Sequence, residues 1–119
     1  MNNMDIKDLE KKVNSQLTTK IKETNIKHGQ LYISINMKDL IDVVMLLKTN
    51  KETNFHQLID ITAVDYPENQ NRFKIVYLLL SHEFNKRIIL SYFINENEVV
   101  SSLTKIFPSA NWMEREIFD

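Results

Sequence analysis

The sequence contains no cysteine and a single glycine, Gly29, among its 119 residues. Without cysteine the chain has no thiolate for an iron–sulfur cluster or a zinc site, and it has neither a cysteine nucleophile nor a disulfide. Loops that cradle phosphate groups need several glycines so that the backbone can approach the phosphates closely. The composition therefore excludes thiolate metal sites and argues against a dinucleotide-binding fold or a P-loop.

A dominant charge and a long apolar run are also missing. The 15 basic and 16 acidic residues give a formal net charge of -1, so no long-range field attracts nucleic acid or an anionic membrane. The longest apolar run, residues 75–80, has the length of a strand and not of a membrane-spanning helix. The three histidines are far apart and form no metal-ligand motif. We therefore expect no cofactor in this chain, no nucleic-acid partner and no direct membrane insertion.

Hydrophobic spacing predicts one α+β domain over residues 1–119. Apolar residues recur every three or four positions where a helix is predicted, and every second position where a strand is predicted. The predicted order is helix, strand, helix and three strands, at residues 5–23, 31–35, 37–48, 55–66, 72–81 and 87–94. Asn36 is the predicted N-cap of the second helix. The links between the last three strands are short, so we expect an antiparallel meander with helices packed on one face.

Residues 72–81 are apolar at both odd and even positions, which predicts a strand covered on both faces. After this sheet we expect a short helix near residues 102–107, ended by Pro108. Asn111 and Glu114 have the spacing of a capping box, which predicts a last helix that begins at Trp112. The fold class is therefore a mainly antiparallel sheet with helices on one face and short C-terminal helices.

The densest polar cluster lies in this last segment, where Glu114, Arg115, Glu116 and Asp119 fall within two helical turns. Two of its carboxylates could act as acid and base in a small stand-alone enzyme. Arg115 would lower the pKa of neighbouring carboxyl groups, however, which is unsuitable for a general acid. A charged docking surface is therefore the favoured interpretation of the cluster.

A second polar group surrounds the predicted sheet. Asp60 lies inside a strand, where a charge needs a partner or an edge position, and Asp65 opens a turn. Arg72 and Arg87 each begin a strand and could pair with these carboxylates across the sheet. Structural pairing is favoured over catalysis, and the sequence leaves open whether the same residues bind a partner.

Four aromatic residues, at positions 73, 77, 92 and 93, fall on predicted strands. Exposed aromatic side chains on a sheet can stack on RNA bases, whereas buried ones form a core. Because no basic surround accompanies them, the core interpretation is preferred over an RNA-binding sheet.

Three blocks of the sequence resemble one family in the order in which that family has them. Residues 58–67 read L-I-D-I-T-A-V-D-Y-P, and residues 72–88 continue with R-F-K-I-V-Y-L-L-L-S and N-K-R-I. Residues 101–119 read S-S-L-T-K-I-F-P-S-A-N-W-M-E-R-E-I-F-D. All three are similar to segments of the C subunit of NADH–quinone oxidoreductase (respiratory complex I), the thirty-kilodalton subunit of the mitochondrial enzyme.

This resemblance implies a non-catalytic peripheral-arm subunit that carries no flavin and no cluster. It further implies docking on other complex I subunits, chiefly the D (forty-nine-kilodalton) subunit, on the cytoplasmic face of a bacterial inner membrane or the matrix side in mitochondria. The residues carried over as partner-binding are Asp60, Asp65, Arg72, Arg87, Asn111, Trp112, Glu114, Arg115, Glu116 and Asp119. Members of the family continue beyond the position of Asp119, so we expect a chain truncated at its C terminus.

Overall fold

The fold is that of a computed structural model, which describes residues 4–118. The helices and strands follow one another in the order α1 (Ile6–Leu17), β1 (Glu23–Lys27), β2 (Gln30–Ser34), α2 (Leu40–Thr49), β3 (Gln57–Asp65), β4 (Phe73–Ser81), β5 (Lys86–Ile94) and α3 (Ala110–Phe118). A short 3-10 turn, Met37–Asp39, precedes α2, and the Asn36 side chain makes no capping hydrogen bond to it. The predicted α+β class is confirmed.

The five strands form one sheet in the order β1-β2-β5-β4-β3. Strands β3, β4 and β5 are successive antiparallel neighbours, which confirms the predicted meander. Strand β5 then pairs with β2 in parallel, and this pairing joins the meander to the β1–β2 hairpin. The polar turns between these strands fix their register, and every second side chain of a strand then lies on the same face of the sheet.

One face of the sheet is covered by the helices, and its β4 positions, Ile75, Tyr77 and Leu79, are buried. Helices α1 and α2 place their apolar stripes on this covered face, and the buried residues of all these elements form one cluster. The other face, which we call the open face, carries Lys74 and Val76 on β4. None of the helices in the described part of the chain is long and apolar enough to cross a bilayer.

Strand β1 was missed by the sequence analysis, which continued the first helix to residue 23 and placed a polar break after it. Helix α1 ends at Leu17, and β1 pairs with β2 through a hairpin at His28 and Gly29. Both hairpin residues have positive φ, 52° and 73°, as a tight two-residue hairpin turn requires. The strand was hard to recognise because Ile26 is its single large apolar residue.

The helix expected near residues 102–107 is absent, and only the helix α3 follows β5 in the described chain. Leu103, Ile106 and Phe107 are buried in the core, and a turn closed by backbone hydrogen bonds to the Leu103 carbonyl joins them. The Lys48 Nζ donates to the Ile106 carbonyl oxygen at 2.5 Å. The segment makes only this single turn, because Pro108 has no backbone N–H with which to continue it.

The prediction that β4 is covered on both faces is wrong within this chain. Strand β4 lies between β3 and β5, as an interior strand should, but only alternate residues are fully buried. Val76, Leu78 and Leu80 on the open face remain partly exposed. No helix of the described chain covers them, since the helices pack on the opposite face.

Candidate partner-binding site

Helix α3 has an inner face that joins the core and an outer face that no other element covers. Ala110 is buried, and Met113 and Ile117 pack against the core cluster from the same side of the helix. On the outer face Trp112 is 74% exposed. An exposure of this size is unusual for tryptophan, whose large apolar ring is normally mostly buried.

Polar residues surround the exposed indole. Asn111, Arg115 and Glu116 are exposed on α3, and Phe118 is exposed by 42% one turn beyond Arg115. Residues three and four positions apart share one side of a helix, so Arg115 and Glu116 flank Trp112. An exposed aromatic residue surrounded by charged and amide groups is typical of protein interfaces. Asp119, the last residue carried over by resemblance, lies outside the described residues.

Glu114 has a structural contact that the sequence did not indicate. Its Oε1 accepts a hydrogen bond from Ser102 Oγ at 2.7 Å, and its Oε2 accepts one from the Leu103 backbone N–H at 2.8 Å. The predicted capping box is therefore wrong, because α3 begins at Ala110 and the Glu114 carboxylate binds the preceding loop instead. This contact anchors the helix and so orients Trp112.

A pair of tyrosines lies in the core near this anchor. The hydroxyl oxygens of Tyr77 and Tyr92 are 2.7 Å apart, and both side chains are buried. Burial raises the pKa of Tyr92 to about 12 and raises the pKa of Tyr77 well above its usual range, and the nearby Glu114 carboxylate acts in the same direction. Both phenols therefore stay neutral at physiological pH.

The β3–β4 turn contains the ion pair that the sequence predicted. Arg72 donates from Nε to Asp65 Oδ1 at 2.7 Å and from Nη2 to Asp65 Oδ2 at 2.8 Å. These hydrogen bonds lower the pKa of the Asp65 carboxyl group and raise that of Arg72. The Glu96 carboxylate lies 3.8 Å from Arg72 Nη1. The pair therefore closes the hairpin between β3 and β4.

Asp60 and Arg87 lie elsewhere on the sheet. A bulge in β3 brings Asp60 opposite Leu78, and its Oδ1 accepts from the Ile61 backbone N–H at 2.9 Å. Arg87 lies opposite Leu80 and makes no ion pair among the described residues, so its expected pairing with a carboxylate is not observed. The candidate residues therefore lie in four separate places, and the α3 group surrounds the most exposed aromatic side chain among the described residues, Trp112.

An apolar groove beside α3 was missed by the sequence analysis. It has a volume of about 360 Å³ and is lined by Phe73, Ile75, Ile94, Val99, Ile117 and Phe118, with Glu96 and Glu98 at its rim. Phe118 connects the groove to the outer face of α3. Neighbouring apolar residues at 117–118 are the one sequence signal that indicated it, since the rest of the lining comes from strands β3 to β5 and from the loop that follows β5.

The geometry gives no support to an active site at the acidic cluster. A shallow depression of about 320 Å³ at Glu114 is lined also by Ser102, Thr104, Asn111, Arg115 and Phe118. Neither Glu116 nor a histidine lines it, although acid–base chemistry in this cluster would require such a second group. Among the described residues no group of three or more histidine, aspartate or glutamate side chains is placed to hold a metal ion.

The strand aromatics divide between the two faces of the sheet. Tyr77 and Tyr92 are buried in the core, as the preferred interpretation predicted, and Phe73 is half-buried on the same face. Phe93 is exposed on the open face, where Lys74 Nζ lies 5.7 Å from its ring centre. A second contact on this face places Lys27 Nζ 6.0 Å from the Tyr32 ring, and Glu23 lines the same groove. Two separate contacts beside a carboxylate do not form the continuous row of stacking platforms and cations that single-stranded RNA requires.

The fold is that of a small α+β domain with an exposed tryptophan on its last helix. Residues 33–119 match the family described as respiratory-chain NADH dehydrogenase, 30 Kd subunit, and the chain belongs to that family. It is 44% identical over 95 residues to the C subunit of the NADH-quinone oxidoreductase of Ruegeria pomeroyi, covering 80% of this chain and 48% of the relative. The corresponding protein of Ruegeria sp. (strain TM1040) is 39% identical over 114 residues, with coverages of 96% and 57%. The chain thus spans about half the length of these curated relatives.

Among solved structures, the fold is similar to a chain in the membrane-bound sulfane sulfur reductase, an archaeal respiratory membrane complex. The TM-score is 0.81, and the match covers 93% of this chain and 64% of the other. Sequence identity is 21%, so this similarity establishes the shared fold alone.

Proposed function

We propose that the chain acts as a peripheral-arm subunit of an NADH–quinone oxidoreductase and docks on its D subunit through the outer face of α3. The observation that carries this proposal is the 74% exposure of Trp112 on a helix whose inner face is firmly anchored. Because the chain belongs to the 30 Kd subunit family of respiratory-chain NADH dehydrogenase, we seek its partner among the subunits of that complex.

The physical reason is the free energy available from covering the indole. Tryptophan buries a large apolar area at an interface, and completing the burial of Trp112 is worth on the order of 3 kcal/mol. Arg115 and Glu116 would form the polar rim that excludes water around such a centre. Glu114 already binds the Ser102–Leu103 segment, which supports a role in positioning the docking helix.

In this proposal the chain performs no redox step itself. Iron–sulfur clusters belong to other subunits, since this sequence has no cysteine to bind one, and the flavin is assigned to another subunit as well. By holding the D subunit in place, the domain supports electron transfer from NADH to quinone and the proton translocation coupled to it. Its place is peripheral, on the cytoplasmic face of a bacterial inner membrane or the matrix side in mitochondria.

The proposal is tested by co-purification of the full chain with the D subunit from the same genome. We expect Trp112→Ala to weaken binding by at least about tenfold, because the loss of a central aromatic anchor commonly costs 2 kcal/mol or more, roughly thirtyfold in affinity. Met45→Ala is the matched control, because Met45 is an apolar residue 43% exposed on the outer face of α2.

Equal binding by the wild type and Trp112→Ala, with both proteins folded, would contradict docking through α3. Loss of binding in both variants would instead point to a general defect in the domain. If the folded wild-type chain did not bind the D subunit at all, the proposed docking on that subunit would be contradicted.

A further inference from the structure

The open face of the sheet is more apolar than a solvated face should be. Antiparallel sheets with one face in water alternate apolar and polar residues along each strand. On the open face, however, the neighbouring interior strands β4 and β5 carry Val76, Leu78, Leu80, Ile89 and Phe93. The helices of the described chain all pack on the other face, so these side chains have no cover.

This patch extends onto β3 and the turn that follows it. Val64, Lys74 and Phe93 lie side by side across three strands, and Val64 is 37% and Phe93 42% exposed. The Tyr66 ring lies 5.8 Å from that of Phe93. A groove of about 310 Å³, lined in part by Tyr32, Lys74 and Phe93, runs from the patch towards the β1–β2 hairpin. Contiguous exposed apolar surface of this kind marks interaction sites.

Charge indicates what covers the patch. Lys74 and Arg87 are the charged residues on the open faces of β4 and β5, and neither makes an ion pair among the described residues. A covering surface must therefore bring apolar side chains and at least one carboxylate to Lys74, since an unpaired charge is costly to bury. Strand β1 adds Glu23 and Lys27, which line the groove together with Lys74. Nucleic acid and anionic lipid fit poorly, because each requires a denser cluster of cations and because Glu23 and Asp60 add negative charge to this face.

We propose that the open face is a second docking surface, which binds an apolar, acidic surface of another subunit of the same complex. Strand β4 would then be covered on both faces in the assembly, as its continuous apolar sequence predicts, and the domain would be held from both sides. This inference rests on the proposed function in one respect, since it takes the partner to be a subunit of the NADH–quinone oxidoreductase.

The absence of cysteine makes the surface directly testable with single-cysteine variants of the full chain in its assembled complex. Thr62→Cys reports on the open face, Arg115→Cys on the outer face of α3, and Lys51→Cys on an exposed turn. The rate of modification by a maleimide-linked polymer, read as a mass shift of this chain, is compared between the isolated chain and the complex. We expect assembly to slow labelling of Thr62→Cys at least about tenfold and to leave Lys51→Cys unchanged.

This experiment tests the two proposed docking surfaces separately. Unchanged labelling of Thr62→Cys beside a protected Arg115→Cys would overturn the second surface and leave docking through α3 intact. Protection of Thr62→Cys with free labelling of Arg115→Cys would support the second surface and contradict the first. Protection of Thr62→Cys in the isolated chain by phosphatidylglycerol vesicles or a single-stranded oligonucleotide would overturn the proposal of a protein occupant.

The charge of the occupant has its own test. Lys74→Glu would place a negative charge against the proposed carboxylate, so we expect recovery of the chain with the complex to fall by about tenfold. Lys74→Arg keeps the charge and should be recovered as the wild type is, and Lys51→Glu controls for the change in net charge. Recovery of Lys74→Glu at the wild-type level would overturn an acidic occupant.

Discussion

Helices α1 and α3 are both amphipathic, yet they place their apolar residues differently. Helix α1 buries Leu9, Val13 and Leu17 completely and presents mainly charged and polar residues to solvent. Helix α3 buries Ala110 but leaves Trp112, its largest apolar residue, 74% exposed. The comparison teaches that α1 completes the core of this chain, whereas α3 presents a surface suited to another molecule.

The largest effect on stability is expected from a substitution in helix α1, which completes the core. Leu9→Ala should lower the free energy of unfolding by about 2–5 kcal/mol, because a fully buried leucine leaves a cavity. Lys11→Ala on the exposed side of α1 should change it by less than about 0.5 kcal/mol. Chemical denaturation of the two variants measures both, and equal effects would show that α1 does not serve the core as described.

Next in size is the response of the buried tyrosine pair to alkali. Tyr92 has a pKa of about 12 when folded and an ordinary value near 10 when unfolded, so the folded chain keeps protons that the unfolded chain releases. Stability should therefore fall as pH rises above 10, by up to about 1.4 kcal/mol per pH unit for each buried tyrosine.

Denaturation at a series of alkaline pH values measures this decline. A Tyr77→Phe/Tyr92→Phe double variant removes both hydroxyl groups together and leaves no unpaired partner. Its decline should be shallower than that of the wild type. Identical slopes would show that the pair is not the source of the alkaline instability.

Within α3, substitutions of Glu114 and Glu116 test whether one side of the helix anchors it while the other side is free to dock. Glu114→Gln weakens the carboxylate hydrogen bonds to Ser102 and Leu103, so we expect a loss of about 1 kcal/mol in unfolding free energy. Glu116→Gln, at an exposed position of the same helix, should stay within about 0.5 kcal/mol. If the two variants unfolded alike, Glu114 would not be the anchor.

The smallest effect is expected at the β3–β4 turn. Arg72 lowers the pKa of Asp65 below 3.8, so the contribution of the pair is present above that pH and is lost as pH falls through the lowered value. The difference in denaturation midpoint between the wild type and Asp65→Asn should thus be small at neutral pH and vanish in acid. A difference that persists in acid would require another role for Asp65.

Regular elements with strong apolar periodicity were predictable from the sequence. The helices around Leu9 and Val43 and the three strands of the meander follow from spacing alone, because each buries one face. Strand β1 was not predictable in this way, because it has few apolar side chains and is held in the sheet by its backbone pairing with β2. The prediction of a short helix at residues 102–107 was wrong although its buried residues have helical spacing, because the segment makes a single turn that ends at Pro108.

The candidate site was predictable in part. The resemblance identified the residues of α3, but the sequence could not separate Glu114, which binds the Ser102–Leu103 segment, from Trp112, which faces solvent. That distinction depends on contacts across the fold. Likewise, the apolar run of β4 predicted two covered faces, and only the sheet and its helices show that this chain covers one of them.

The most direct test of the account uses the single tryptophan of the chain. Incorporation of 5-fluorotryptophan places one fluorine on Trp112, and its ¹⁹F resonance reports water exposure through the shift between H₂O and D₂O. We expect a solvent-exposed resonance in the free chain that moves and loses this isotope shift when unlabelled D subunit is added. A Trp112 resonance that keeps its full solvent shift in the complex would contradict docking through α3.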